Sequence, residues 1–318
     1  MAEREMRAVY AQTLVRLGGD NRDIVVVEAD LMRATGTGAF REAYPERAFN
    51  VGVAEANMVG VAAGLSVTGK IPFASSFACF AARRTFDQFF VSANYARLNV
   101  KLVGTDPGVT AAFNGGTHMC FEDVGLMRTI PGLVVFEPCD PVSLEKLVEQ
   151  AAGHRGCAYM RLHRKPVEEI YSSEDELELG KGKVLRDGED VALLASGAVM
   201  VPQALEAARR LADEGVSAAV IDMHTVKPVD EAIVLEYASR TGRMVTCENH
   251  QITGGLGSAV AEVLAEHLPT ALRRIGIRDE FGEVGTLEYL IERFGLSASH
   301  IVRGARQLLQ GQGVEARR

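Results

Sequence analysis

The first residue with a type and position suited to chemistry is Glu55. It stands in Phe49–Leu65 (FNVGVAEANMVGVAAGL), where a predicted strand gives way to a helix rich in Gly and Ala. A carboxylate in the first turn of a helix is favoured by the helix dipole and most often only caps the helix. Because this helix is almost wholly apolar or small, we expect it to be buried on most sides. A carboxylate at its mouth could then share a proton with a ligand nitrogen.

An aromatic turn follows in Pro72–Phe90 (PFASSFACFAARRTFDQFF). Phe77 and Phe80 come just past the end of a predicted strand, which is where open α/β sheets bind their ligands. An aromatic face at that point could stack on a flat heterocycle. The later phenylalanines of the stretch have the spacing of core residues in a helix, so plain packing explains them.

Two further stretches carry polar candidates. The long Gly-rich loop Thr105–Arg128 (TDPGVTAAFNGGTHMCFEDVGLMR) holds His118. A lone His is more often structural, but one in a long loop at the end of a strand is a better candidate. Arg161 and Arg164 follow another strand, and they could bind a phosphate group or simply form a solvated basic edge.

The glycines of Glu248–Leu264 (ENHQITGGLGSAVAEVL) do not follow the dinucleotide-binding fingerprint with its later acidic residue. Nicotinamide binding is therefore not expected at this stretch. We expect a tight turn at the start of a helix.

Strand and helix patterns alternate along the whole chain, which predicts an α/β fold of mostly parallel sheets flanked by helices. The predicted strands are Asp23–Asp30, Lys70–Phe73, Val100–Gly104, Leu133–Phe136, Ala158–Leu162, Val191–Ser196, Ala218–Met223, Arg243–Glu248 and Leu272–Ile277. The predicted helices are Glu55–Ser66, Ala81–Tyr95, Pro141–Ala152, Val201–Glu214, Leu256–His267, Leu287–Phe294 and Ser299–Gln310. A polar, acidic stretch interrupts the alternation. It predicts one domain over residues 1–166, a linker over 167–188 and a second domain over 189–318.

The composition excludes several classes of protein. The chain has 318 residues and a formal net charge of −8, so nothing in it favours nucleic acid as a partner. No run approaches the roughly 18 apolar residues of a membrane span, and the charged N-terminus has no signal-peptide core. The five cysteines are scattered without a CxxC pair, which indicates neither a zinc site nor a disulfide framework. These observations predict a cytoplasmic protein with reduced thiols and no metal ligands of its own.

In combination the motifs resemble the C-terminal half of transketolase, over essentially the whole chain. GVAEANMVGVAAGL, FASSFACF and NGGTHMCFEDVGLMR resemble the family's pyrimidine-domain signature, aromatic turn and substrate loop. HTVKPVD and ENHQITGGLGSAVAE resemble its C-terminal domain. The resemblance implies a thiamine-diphosphate pyrimidine-binding fold followed by a transketolase C-terminal domain.

The family binds the cofactor's diphosphate and a divalent metal through another domain, with a GDG motif followed some 30 residues later by Asn. This sequence has no such motif. The resemblance therefore implies the second subunit of a split transketolase, which uses thiamine diphosphate. A partner subunit would hold the diphosphate and Mg²⁺ in a heterotetramer of α2β2 type.

The resemblance also implies roles for individual residues. Glu55 would hydrogen-bond N1′ of the aminopyrimidine and so activate the cofactor, with Phe77 and Phe80 on or beside that ring. Asp30 would lie near the thiazolium. His118 would bind the substrate and help to transfer protons, while a two-carbon ketol unit passes from a ketose, often phosphorylated, to an aldose.

Arg164 matches an Arg at the end of the corresponding family strand, so it is the stronger candidate for a phosphate ligand, with Arg161 as the second. Asn114 would also contact the substrate, at a position where the family commonly has an Asp. Further departures are Thr105 in place of a His and Arg83 in place of a frequent Tyr. The resemblance thus covers the cofactor chemistry better than the choice of sugar.

The phosphate-binding Ser of the family is also missing. Ala34 falls at that position, although Thr35 and Thr37 are near.

Three alternatives remain open at this point. The β subunit of a 2-oxo acid dehydrogenase has a similar length and uses the same Glu, but it has a different substrate loop. Deoxyxylulose-phosphate synthase shares the loop motif but is usually a single chain. A catalytically silent subunit that scaffolds or regulates is the alternative from another class, and the retention of Glu55, His118 and the aromatic turn argues against it.

Overall fold

The computed structural model describes residues 4–311, and its elements follow the predicted alternation. Within that range the first sheet has seven strands, which are parallel to their neighbours except at one edge. In spatial order the strands are Thr225–Lys227, Val134–Phe136, Ala158–Leu162, Lys101–Thr105, Ile71–Phe77, Ile24–Glu28 and Ala48–Asn50. The central strands are buried along their length. Ile24–Glu28 has the apolar, β-branched sequence typical of a buried parallel strand, whereas Lys101–Thr105 and Ala158–Leu162 each include one buried cation, Lys101 and Arg161.

Helices cover both faces of this sheet. The α-helices are Met6–Asp20, Met32–Thr35, Gly38–Ala43, Glu55–Val67, Ala78–Arg83, Phe86–Gln88, Asp123–Arg128 and Pro141–Gly153. The 3₁₀ turns are Pro45–Arg47 and Gly108–Asn114, and Phe89–Tyr95 is a π-helix. The prediction of a single helix over Ala81–Tyr95 is wrong, because a turn at Arg84 and Thr85 interrupts the helix. The hydroxyl of Thr85 donates to the Ala81 carbonyl oxygen, a local bond that competes with regular helix geometry.

The second sheet has five strands within the described residues. In spatial order these are Ala271–Ile277, Arg243–Gln251, Val191–Ala195, Ala218–Asp222 and Lys183–Arg186. The last strand is antiparallel to its neighbour and the others are parallel. The accompanying helices are Gly197–Ala212, Glu231–Thr241, Leu256–His267, Leu287–Arg293 and Ala298–Leu309. Both halves are therefore α/β layers, as predicted.

Both ends of the predicted linker belong to sheets. Pro166–Val167 pairs with Arg4–Glu5 as a two-stranded sheet, and Lys183–Arg186 already belongs to the second sheet. Asp140 accepts hydrogen bonds from the backbone N–H groups of Ile170 and Tyr171, each at 2.8 Å. The stretch between the halves is thus tied to the body of the protein.

Apolar packing is continuous between the halves. One cluster of buried side chains includes Val27 and Met127 of the first half together with Val226, Val234 and Met244 of the second. A large apolar interface of this kind holds two layers in one fixed arrangement. Across residues 4–311, none of the helices combines the length and apolarity that crossing a bilayer requires.

A buried ion-pair network joins the halves at their centre. The side chain of Arg161 is 1% exposed; its Nε donates to Asp123 and its Nη1 to Glu137, both at 2.8 Å. Its Nη2 donates to the carbonyl oxygen of Asn249 in the second half, at 2.9 Å, and Tyr159 also donates to Asp123. The prediction that Arg161 binds substrate is therefore wrong for this structure, because its guanidinium is enclosed and committed to internal partners.

We expect Arg161→Met to lower the free energy of unfolding by about 3–5 kcal/mol, because Asp123 and Glu137 would stay buried without their countercharge. Urea unfolding followed by circular dichroism measures this change. Arg209→Met is the matched control, because Arg209 pairs with Glu206 on an exposed helix surface and its removal should change the free energy of unfolding much less. Equal losses for the two variants would show that the network contributes no more than a surface pair.

Candidate active site

The candidate residues gather at one edge of the first sheet. Asp30, Phe77, Asp106 and Arg164 each end or closely follow a parallel strand of that sheet. The carboxyl ends of parallel strands meet at a common edge, which is where open α/β sheets form their ligand crevices. The candidate ligand-binding site therefore lies at this edge.

Glu55 begins the helix Glu55–Val67 and is nearly enclosed, with 4% of its side chain exposed. The Nη1 of Arg84 donates to its Oε1 at 2.9 Å. Ala54 precedes the helix and supplies no side-chain cap, and Glu55 is the acidic residue of the first turn, where the helix dipole favours a carboxylate.

The same helix is less buried than expected. Gly60, Gly64 and Val67 are exposed along one side. The prediction of burial on most sides is therefore wrong for that face, whereas the inner face packs Met58 and Val59 into the core.

Two phenylalanine rings lie between two guanidinium groups. The centroids of Phe77 and Phe80 are 5.9 Å apart, and the His118 ring meets both edge-on, at 6.2 and 5.3 Å. The Cζ atom of Arg84 lies 4.0 Å from the Phe80 centroid, and that of Arg164 lies 5.2 Å from the Phe77 centroid. Cations at these distances are attracted to the negative face of an aromatic ring.

Arg164 is held in place by Asp106. Its Nε lies 2.6 Å from Oδ2 of Asp106, a residue with the left-handed φ of 54°. Burial raises the pKa of Asp106, and the nearby Arg164 acts in the opposite direction. Within residues 4–311 the terminal nitrogens of Arg164 donate no hydrogen bond, so they remain free for an anion.

The substrate loop is fixed by a residue of the second half. Asn249 accepts from the N–H of Val109 at 2.9 Å and donates to the carbonyl oxygen of Pro107 at 3.0 Å. A Cβ on Gly108, whose φ is 59°, would overlap the Asn249 amide. Glycine is thus required at this close approach.

Two predicted site residues lie apart from the aromatic cluster. Asn114 is exposed at the end of the 3₁₀ turn and makes no side-chain hydrogen bond within residues 4–311. Asp30 is also exposed, and Asn50 donates to its carboxylate at 3.1 Å and accepts from its backbone N–H at 2.9 Å. The structure brings Phe77, Phe80 and His118 together. The guanidinium of Arg164 contacts Phe77, and Glu55 is connected to Phe80 through the guanidinium of Arg84.

The threonines near Ala34 serve an internal carboxyl group. Thr35 and Thr37 both donate to Oε1 of Glu28 at 2.6 Å, and all three side chains are buried. Burial raises the pKa of Glu28 to about 8, although the two hydroxyls lower it. These hydroxyls bind the end of the strand Ile24–Glu28 and are not offered to a phosphate.

The Gly-rich turn of the second half is the tight helix start that was expected. The carboxylate of Glu248 accepts from the N–H groups of Leu256 and Gly257 at 2.7 and 2.9 Å. A Cβ on Gly255 would overlap that carboxylate. The helix N-terminus is therefore occupied by the protein's own acid.

Sequence reasoning missed three residues of this region: Arg84, Asp106 and Asn249. Arg84 could have been noticed as the second of two arginines directly after the aromatic turn. Asp106 stands beside the strand end, but its pairing with Arg164 depends on the order of strands. No local signal marks Asn249, because its partners lie 140 and 142 residues away in the chain.

The fold therefore consists of two α/β halves, each a mostly parallel sheet flanked by helices, with the candidate residues at one edge of the first sheet. Residues 2–169 match the sequence profile of the transketolase pyrimidine-binding domain, and residues 180–301 match that of the transketolase C-terminal domain. The chain belongs to the transketolase family, whose members depend on thiamine diphosphate.

Similar proteins include chains of the same extent. A 6-deoxy-6-sulfo-D-fructose transketolase subunit of Clostridium sp. strain MSTE9 is 51% identical over 98% of this chain and 96% of its own. One of the subunits of the apulose-4-phosphate transketolase of Phocaeicola vulgatus is 35% identical over 96% of this chain and 97% of its own. A solved structure described as a split-gene transketolase, inactive β4 tetramer, has a TM-score of 0.89 at 44% identity, covering 97% of this chain and 99% of that one.

We expect Glu28→Gln to change how stability depends on pH. With a pKa of about 8 in the folded protein against an ordinary 4.5, Glu28 keeps its proton on folding, so its stabilising contribution is full below pH 4.5 and is lost as the pH rises through 8. Between these values the wild type should lose about 1.4 kcal/mol per pH unit relative to the variant. Urea unfolding at pH 5, 6, 7 and 8 measures the difference.

Glu174→Gln, at an exposed position, is the control and should leave the slope unchanged. Parallel curves for the wild type and Glu28→Gln would contradict the neutral state of Glu28.

Proposed function

We propose that this chain is the pyrimidine-binding subunit of a split transketolase. With a partner subunit that holds the diphosphate and Mg²⁺, it transfers a two-carbon ketol unit from a ketose to an aldose. The observation that carries the proposal is the enclosed carboxylate of Glu55 at a helix start, which Arg84 links to the face of Phe80. Phe80 in turn contacts Phe77 and His118. The family membership and the similar split-gene chains support the proposal that two subunits share the cofactor site.

The residues at this edge fit the pyrimidine end of thiamine diphosphate. Glu55 offers an oxygen to a ring nitrogen, and its low exposure strengthens such a hydrogen bond because little water competes for it. Phe80 offers an aromatic face to a flat ring. When bound, the cofactor supplies the carbon nucleophile and the electron sink of the reaction. Glu55 holds a proton at the N1′ atom.

His118 is the proposed group for the sugar hydroxyls and for proton transfer. Its Nδ1 lies 3.0 Å from the Thr117 hydroxyl, which fixes the orientation of the ring. Its Nε2 makes no hydrogen bond within the part of the chain that the structure describes. The edge-on contacts with Phe77 and Phe80 place the imidazole beside the proposed pyrimidine site. Asn114 and Asp30 remain proposed contacts to the sugar and to the thiazolium side.

The proposed donor is a ketose with an anionic end. The terminal nitrogens of Arg164 are free while its Nε is held by Asp106, so the guanidinium is oriented before an anion arrives. The names of two similar proteins specify a sulfo sugar and a sugar phosphate, both of which carry such a group. Sulfonate and phosphate each present oxygens that a guanidinium can bind in pairs.

We expect Glu55→Gln to lower the turnover of the reconstituted two-subunit complex by about 100-fold or more, because the amide cannot exchange a proton with the cofactor ring. Two-carbon transfer between a ketose and an aldose is the assay, with this chain alone as the blank. Size-exclusion chromatography should find assembly with the partner unchanged. Turnover that survives in Glu55→Gln would refute the proposed role and favour a silent scaffold.

We expect Arg164→Met to reduce kcat/KM for a phosphorylated or sulfonated ketose by about 10- to 100-fold, the value of hydrogen bonds to a charged group. The loss with an uncharged ketose should be much smaller. Lys165→Met removes a neighbouring exposed cation and serves as the control. Equal losses for charged and uncharged donors would indicate that Arg164 acts elsewhere than on the anionic end.

A further inference from the structure

Arg84 makes both of the contacts that the proposed pyrimidine site offers. Its Nη1 donates to Oε1 of Glu55 at 2.9 Å, and its Cζ lies 4.0 Å from the centroid of Phe80. A guanidinium is flat, carries N–H donors and stacks on aromatic faces. An aminopyrimidine ring bound by the same carboxylate and the same phenyl ring would make these contacts with similar chemistry. One side chain and one ligand ring therefore compete for the same two partners.

We propose that Arg84 occupies the place of the aminopyrimidine in the cofactor-free chain and leaves it when the cofactor binds. The inference rests on the proposed function and adds a displacement step to cofactor binding. Arg84 is then a placeholder: it competes with the cofactor and does not act on the substrate.

The two members of the ion pair differ in their freedom to move. The Glu55 side chain is 4% exposed and lies at a helix start packed against the core, whereas the Arg84 side chain is 50% exposed. Arg84 follows the last residue of the short helix Ala78–Arg83, and Glu55 is its one side-chain hydrogen-bond partner within residues 4–311. Of the two, Arg84 is the residue that can withdraw into solvent.

The ion pair with Arg84 also lowers the free energy of the empty site. A nearly enclosed carboxylate without a partner costs free energy, because it has lost water and gained nothing in return. Arg84 gives Glu55 a countercharge while the site is empty. A cofactor ring that bonds to Glu55 then takes over that function, and the half-exposed arginine regains its hydration.

The neighbouring arginine provides a matched control. Arg83 has a similar exposure, 42%, but it pairs with Glu122 and donates to the carbonyl oxygen of Met119 at 2.7 Å. Removing Arg83 therefore deletes an arginine of the same turn without freeing Glu55 or the face of Phe80.

The test is calorimetric titration of thiamine diphosphate, with Mg²⁺ present, into the reconstituted complex. For Arg84→Ala we expect the Kd of the cofactor to fall about tenfold, since the ion pair of Arg84 with Glu55 and its cation–π contact with Phe80 no longer have to be broken. Arg84→Gln should also bind more tightly, because it lacks the charge. Arg83→Ala should leave the Kd within about twofold of wild type, which is the variation expected for a substitution at an independent site.

A second background tests whether the competition passes through Glu55. In Glu55→Gln the charge that attracts Arg84 is gone, so the additional change Arg84→Ala should improve the Kd by much less than in wild type. Thermal unfolding gives an independent readout. Arg84→Ala should lower the Tm of the cofactor-free complex, where Glu55 loses its partner, and leave the Tm of the saturated complex close to that of wild type.

An equal or higher Kd for Arg84→Ala and Arg84→Gln would overturn the inference and identify Arg84 as a residue that supports Glu55 with the cofactor in place. The same holds if the gain persists undiminished in Glu55→Gln. A wild-type complex that binds no thiamine diphosphate would refute the proposed function together with the inference, so the two failures can be told apart.

Discussion

The arrangement of the whole site depends on one enclosed cation. The guanidinium of Arg161 pairs with Asp123 and Glu137 and donates to the backbone of Asn249, which fixes the two α/β layers relative to each other. The side chain of Asn249 then holds the backbone of the substrate loop at Pro107 and Val109. The loop that carries His118 therefore takes its position from the second layer, although the catalytic candidates lie in the first.

Much of the fold follows from the sequence because its signals are local. Ala158–Leu162 and Leu256–His267 have the predicted bounds, since their apolar patterns match the period of a strand and of a helix. The failures have long-range causes. Arg161 resembles a basic strand end, and only the packing of distant Asp123 and Glu137 reveals it as an internal cation. The strand Thr225–Lys227 joins the sheet of the other half, a pairing that no neighbouring residue specifies.

The candidate site divides in the same way. Phe77, Phe80 and His118 could be grouped from the sequence, because Phe77 and Phe80 lie at the end of one parallel strand, His118 lies in the loop after another, and such ends share an edge. Their guanidinium neighbours could not be assigned. Two adjacent arginines have the same local sequence context, yet one contacts Glu122 and the other contacts Glu55. Arg83 ends the helix Ala78–Arg83 and Arg84 follows it, whereas the sequence pattern predicted one continuous helix there.

The strand Thr225–Lys227 also limits how the chain can be made. It completes the first sheet beside Val134–Phe136, although nearly 90 residues of sequence separate the two. During synthesis the chain emerges from its N-terminus, so the edge at Val134–Phe136 remains uncovered until about the first third of the second half has been translated. An open strand edge can pair with other chains. The first half can thus form its helices during synthesis, but the strand Val134–Phe136 keeps one unpaired edge until residue 227 has been synthesised.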